Sequence, residues 1–347
     1  MKIMNWNIEW MNRWFTGNKT PVWGTRLTPS DTRGLTPDEA RATAARVAGV
    51  INAEAPDLLC IQEGPSSIEE MELFIADFLS DGAAPLFEPL IGFDGSSQKL
   101  YALRRIDGRI AAMEHATDPH TLALREVWDA DVNGDMMLEA YDFTRLPLVV
   151  DIDPDGGLPI RVVILHTKSK HVQFGKSKFE NPATRQSFIV EALEARRRIS
   201  AEGFRLRGYL DALLEDDPTA RIIVTGDFND GPGRDLFERS YLTHSVTDIL
   251  LGSTFYPELI FDHPLIRRVE TPALFTARFD DYVDDIQDRP LLLDHFIVSP
   301  SMKDQVEDAG IAHASFEDHL ETSKGHRSQR PSDHRPIWVE IGAPLTG

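Results

Sequence analysis

The sequence predicts an α/β protein: two mixed, largely antiparallel β-sheets packed together, with helices outside. Short apolar runs punctuated by Gly, Pro and Asp recur along the chain, as strands and hairpins do. Helical periodicity appears between only some of them, whereas a doubly wound parallel sheet needs a helix after nearly every strand. The 347 residues are 41% apolar and 27% charged, the composition of a globular chain, and are read as one domain over 1–347.

The elements follow in order. "KIMNWNIEW" is the first strand, and residues 11–35 form a Gly- and Pro-bearing loop. Thr36 then caps a helix, with Pro37, Asp38 and Glu39 in its first turn and apolar positions at Ala44, Val47, Ala48 and Ile51. "DLLCIQ" is a buried strand, and "SSIEEMELFIADFL" a helix capped by Ser66 or Ser67. "QKLYALRRI", "GRIAAMEHA", "TLALREVWD", "LPLVVDIDP" and "IRVVILHT" read as antiparallel strands. A helical stretch from Pro182 to Asp216 follows, with a break expected near Gly203. "RIIVTG" is a strand, and "LLLDHFIVS" and "PIWVEIG" are taken as the last two. Residues 254–290 are an acidic excursion.

Composition removes several functions. No run approaches 18 apolar residues, so no membrane span is expected. The N-terminus has no signal-peptide core, and a cytoplasmic location is the expectation. The single cysteine, Cys60, sits in an apolar run and reads as a buried small residue. The net charge of -20 excludes a uniformly basic nucleic-acid binder. No segment marks an obligate protein partner.

Polar residues stand at the ends of the apolar strands: Asn7, Glu63, His166, Asp227 and Asn229, Asp294, then Asp333 and His334 before the last strand. Singly, each has an ordinary explanation as a strand-end hydrogen bonder, a solvated carboxylate or a turn residue. Their shared placement points to one site at one edge of the sheets.

The blocks "NWNIEW", "LLCIQE", "VVILHTKSK", "IVTGDFND", "LLLDHFIVS" and "PSDHRPI" resemble, in order, the signatures of the endonuclease/exonuclease/phosphatase superfamily. The resemblance implies a deoxyribonuclease I-like four-layer α/β sandwich that cleaves phosphoesters with a divalent metal, usually Mg2+. It implies metal binding by Glu63, Asn7 and Asp333. Asp227 and Asn229 would position water, leaving oxygen and phosphate, His334 would be the catalytic histidine, and Asp294 would orient it. Arg145, in "TRLPLVV", resembles a phosphate-contacting arginine. Glu9 departs from the pattern, standing where many of the nucleases have Asn or a small residue.

The chemistry agrees with these residue types. Hard carboxylate oxygens suit Mg2+ or Mn2+, and no Cys/His zinc spacing is present. A base near neutral pKa is most often His, and a carboxylate on its other nitrogen fixes the tautomer. His166 resembles the second histidine of deoxyribonuclease I-like enzymes rather than the tyrosine block of abasic-site endonucleases. Lys168, Lys170, Lys176 and Lys178 form one basic run, and Lys324, Arg327, Arg330 and Arg335 another. Lys168, Lys170 and Arg335 are thus candidate phosphate contacts, and Phe174 and Phe179 either stacking surfaces or loop packing. The favoured function is a nuclease on DNA or RNA. The alternatives are a phosphoesterase of the inositol phosphate or sphingomyelin type, and a catalytically silent scaffold.

Overall fold

The structure, a computed structural model, describes residues 1–17, 19–25, 34–82, 84–93, 97–232, 235–242 and 245–342. Part of the predicted 11–35 loop, residues 18 and 26–33, therefore lies outside the described residues.

Among the described residues fifteen strands are formed: β1 Lys2–Asn7, β2 Leu58–Gly64, β3 Phe87–Ile91, β4 Lys99–Arg105, β5 Ile110–His115, β6 Trp128–Ala130, β7 Glu139–Tyr141, β8 Leu148–Pro154, β9 Ile160–His166, β10 Ile222–Asp227, β11 Ala277–Asp281, β12 Ile286–Leu291, β13 Asp294–Val298, β14 Val306–Ile311 and β15 Ile337–Ile341. One sheet has the order β14-β15-β1-β2-β4-β3 and the other β13-β10-β9-β8-β5. Each holds a single parallel pair, β1 with β2 and β9 with β10, among antiparallel neighbours. This is the predicted architecture of two mixed, largely antiparallel sheets.

Three apolar layers make it a four-layer sandwich. Between the sheets, Ile3, Leu58 and Cys60 meet Val150, Val162, Ile164 and Phe296. Outside the first sheet, Val47 and Ile51 of the helix Pro37–Glu54 and Phe74 of the helix Ile68–Phe78 cover Met4, Trp6 and Leu59. Outside the second, Ile199, Leu206 and Leu210 of the helix Arg185–Asp216 cover Val163, Leu165 and Val224. The strands of the middle layers alternate between two apolar environments, which is why they read as nearly continuous apolar runs.

Local chemistry accounts for the element starts. Thr36 accepts from the Glu39 amide while the Glu39 carboxylate reaches back, a full capping box. Ser67, rather than Ser66, caps the second helix. Three expectations are corrected. "TLALREVWD" is not one strand, because Asp118 caps Thr121 with Pro119 in the first turn, giving a helix over Pro119–Ala123 and a strand only at β6. The long helix does not break at Gly203, where the bare glycine lets Val246 and Ile249 pack closely against it. The run from Val306 to Ile311 is an additional strand between the two predicted as last. Residues 254–290, the expected excursion, meet the rest of the fold at two bridges, Asp262 with Val298 and Ala277 with His334. No helix among the described residues is long and apolar enough to cross a membrane.

Candidate active site

Both parallel pairs end at the same rim. On one side β1 finishes at Asn7 and β2 carries Glu63 next to its last residue. On the other, Asp227 at the end of β10 lies opposite His166 on β9 and Asp294 on β13. The turn before β15 delivers Asp333 and His334, pinned to β1 by hydrogen bonds from Ser332 Oγ to the Asn7 carbonyl (2.7 Å) and from Trp6 Nε1 to the His334 carbonyl (2.8 Å). The site is therefore assembled across the seam between the sheets.

Asp227 is its centre. Its Oδ2 accepts from Asn7 Nδ2 at 2.8 Å and lies 3.6 Å from His166 Nε2 and 4.0 Å from His334 Nε2. Its Oδ1 accepts the Asn229 amide at 2.8 Å. His334 Nδ1 lies 2.7 Å from Asp294 Oδ2, and Asp294 is fixed by its own amide bonding Thr276 Oγ1. Glu63 Oε2 accepts from the Trp10 amide at 2.8 Å and from Gln98 Nε2 at 2.7 Å, while Oε1 faces Asn7 Nδ2 at 3.4 Å.

The backbone is bent to achieve this. Glu63 has φ 57° and Asn229 φ 50°, left-handed conformations that non-glycine residues adopt at a cost and that cluster at functional sites. Gly226 is obligatory: at its φ of 147°, a Cβ would lie 2.1 Å from the Leu165 carbonyl oxygen.

Burial and charge set the protonation states. Burial, then the neighbouring Asp333 charge, push Glu63 up to about 7. Burial also raises Asp227 to about 6, against the opposing pull of His334. Burial disfavours the charged ring of His334, yet the Asp294 and Asp227 carboxylates outweigh it and hold its pKa well above the ordinary value. Burial, with Arg145 and His334 nearby, drives His166 well below it. The two histidines of one site are thus pushed in opposite directions, His334 toward the imidazolium and His166 toward the neutral imidazole.

Arg145 joins the cluster through Thr167 O (3.3 Å) and Gln98 Oε1 (3.1 Å), and its charge is felt at Glu63 and His166. Lys168 is half-buried beside Arg145 and Glu202. Lys170 turns away into a knot with Asp230, Glu238 and Asp235, and Arg335 pairs with Glu317. Lys176, Lys178, Arg327 and Arg330 are likewise engaged by Glu180, Glu191 and Glu9, so most of the predicted basic rim is neutralised from within. Glu9 serves that pairing with Arg327 and Arg330. Phe179 packs against Phe188 and Tyr282, while Phe174 is exposed.

Sequence reasoning missed Gln98 and Glu202. Gln98 sits in no motif. Glu202 had a usable signal, an acid on the apolar stripe Ile199, Leu206, Leu210.

The donors fit a hard divalent cation. The negative charge of Asp333 adds to the cost of ionising Glu63, a cost that a cation held beside them would relieve. Asp227, Asp294 and His334 also bring ligand atoms within 4.8 Å of one another. Because His334 Nδ1 is already bonded to Asp294, we read that trio as a proton-handling set.

The sequence profile of the endonuclease/exonuclease/phosphatase family matches residues 4–334. The chain belongs to that family. It is a phosphoric-ester hydrolase with a deoxyribonuclease I-like fold, in a family that depends on divalent metal. No curated protein sequence matches it. Among solved structures it is similar to TDP2 from Caenorhabditis elegans, at 14% identity and TM-score 0.51, covering 99% of this chain and 75% of that one. It is also similar to the 3'-5' exonuclease NExo from Neisseria meningitidis, at 14% identity and TM-score 0.50, over 99% and 100% of the two chains. An endonuclease/exonuclease/phosphatase family protein from Bacteroides thetaiotaomicron is 16% identical with TM-score 0.51, over 100% and 96%.

Proposed function

We propose that this protein is a Mg2+- or Mn2+-dependent phosphodiesterase that cleaves nucleic acid by in-line attack of water. The observation that carries the proposal is Asp227 Oδ2, aimed into the space between His166 Nε2 and His334 Nε2. Glu63 and Asp333, with Asn7 beside them, would hold the metal, which when bound draws charge from a phosphate oxygen. Asp227, raised to about 6, is the group suited to take a proton from water near neutral pH. His334, charged and steadied by Asp294, faces the negative charge that develops on the phosphoryl group. His166, neutral, supplies a hydrogen bond without adding charge. Asn7, Asn229 and Arg145 orient the phosphate. The NExo structure at 16% identity, a 3' phosphatase bound to a product DNA hairpin, supports a nucleic-acid substrate.

A second substrate class, small phosphoesters, is favoured by the internal pairing of the basic rim, which leaves little to track a long polyanion. One panel separates the two: duplex DNA, single-stranded DNA, RNA, bis-p-nitrophenyl phosphate, sugar phosphates and inositol phosphates, each with Mg2+, Mn2+ or chelator. Cleavage of a nucleic acid that stops with chelator is the expected result. Turnover of the small esters alone selects the second reading, and no turnover of any ester overturns both.

A further inference from the structure

We propose that Glu202 is a positioning residue of this site, clamping the turn that carries Arg145 to the turn that follows His166. Its side chain is 1% exposed, deep under the rim, on the helix Arg185–Asp216. Oε1 accepts the Thr144 amide at 2.8 Å and Oε2 accepts the Lys168 amide at 3.0 Å. Thr144 directly precedes Arg145, and Lys168 is two residues beyond His166. One carboxylate thus ties two segments more than twenty residues apart in sequence.

What lies between those two amides is the phosphate-facing part of the site. The Thr167 carbonyl accepts from both Arg145 Nη1 (3.3 Å) and Asn229 Nδ2 (3.2 Å). The Thr167 amide donates to the Asp227 carbonyl at 3.1 Å, and Thr167 Oγ1 donates to the Phe228 carbonyl at 2.6 Å. The turn after β9 is therefore the hub through which Arg145, Asn229 and Asp227 hold one another. Glu202 fixes it from below. Arg198, one turn earlier on the helix, reinforces the same loop through Thr144 Oγ1 at 3.0 Å.

A carboxylate on the apolar face of a helix is costly, and an aliphatic side chain would pack there without that cost. Both of its oxygens bond backbone amides adjoining the site, so the return on the burial is orientation of Arg145 and Asn229.

The inference rests on the phosphodiesterase reading for its kinetic test. Glu202→Gln keeps the shape but replaces one acceptor with a donor facing an amide. We expect kcat/KM for bis-p-nitrophenyl phosphate with Mg2+ to fall about tenfold or more, as for a buried amide left unpaired. In an Arg145→Ala background the same change should cost measurably less than in the wild type, because one of the groups it positions is gone. Independent, additive losses overturn the proposal, as does an unchanged kcat/KM. Glu202→Asp, too short to span both amides, is the second variant if the first does not fold. Amide hydrogen exchange supplies a readout independent of turnover: the Thr144 and Lys168 amides should exchange faster while the rest of the sheet is unmoved. If the wild type hydrolyses no ester, the function proposed above fails, and exchange alone decides the clamp; protection unchanged at both amides overturns it.

Discussion

His334 Nδ1 sits 2.7 Å from Asp294 Oδ2, and the aspartate is wholly buried. That contact, with the charge of Asp227, keeps the imidazole protonated despite its burial. Asp294→Asn should lower kcat by about 100-fold to 10,000-fold, the range for a disabled proton-handling group. The sign of the pH effect follows. Removing the carboxylate lowers the pKa of His334, so the alkaline limb of the pH–rate profile should move to lower pH. A limb that stays in place would separate this pair from catalysis.

Glu63, pushed up to about 7 by burial and by Asp333, is largely protonated below that pH in the metal-free protein. A cation must displace that proton, so Mn2+ affinity should weaken as pH falls from 8 to 6, approaching about tenfold per pH unit for one displaced proton. Titration calorimetry at the two pH values reads this directly. Glu63→Gln should bind Mn2+ much more weakly and lose this contribution to the slope.

Asp235 lies in the knot with Lys170 and Arg196, away from the reacting groups. Burial would raise its pKa, but the hydrogen bonds from Arg196 and the charge of Lys170 hold it at about 2. Its unfolded value is near 4. The stability it contributes is thus complete above about pH 4 and is lost as pH falls toward 2. Chemical denaturation between pH 5 and pH 2 should show a shallower acid loss in Asp235→Asn than in the wild type.

Gly226 allows β10 to pass the Leu165 carbonyl, where a Cβ would be 2.1 Å from oxygen. Gly226→Ala should cost about 3 kcal/mol or more, since both the contact and the φ of 147° resist it. Thermal unfolding checks this, and a wild-type Tm would contradict it.

Much of the sheet core was legible because apolar runs ending in a polar residue mark both a strand and its end at the rim. Asn7 and Asp227 announced themselves in that way, whereas Asp294 opens β13 rather than ending a strand. The helix Pro37–Glu54 was legible through its Thr36 cap, Pro37 and the acids of its first turn. The hairpin of β11 and β12 was not, because its strands are mostly exposed and acidic, with no alternating apolar face to mark them. Composition shows a lysine such as Lys170 but not the carboxylates that fold against it. Gln98 and Glu202 act through hydrogen bonds whose partners lie tens of residues or more away, a relation no local pattern encodes.

The seam between the sheets carries a consequence for how this protein tolerates change. Asn7 and Glu63 ride on one sheet and Asp227 on the other, so the 2.8 Å between Asn7 Nδ2 and Asp227 Oδ2 is set by how the two slabs sit on each other. Cys60, Val150 and Ile164, buried between the sheets, are among the spacers that set that thickness. A methylene added or removed there displaces one half of the reactive centre against the other before it melts either sheet. The apolar filling is in effect a calibration shim, and turnover is a finer gauge of its fit than melting temperature.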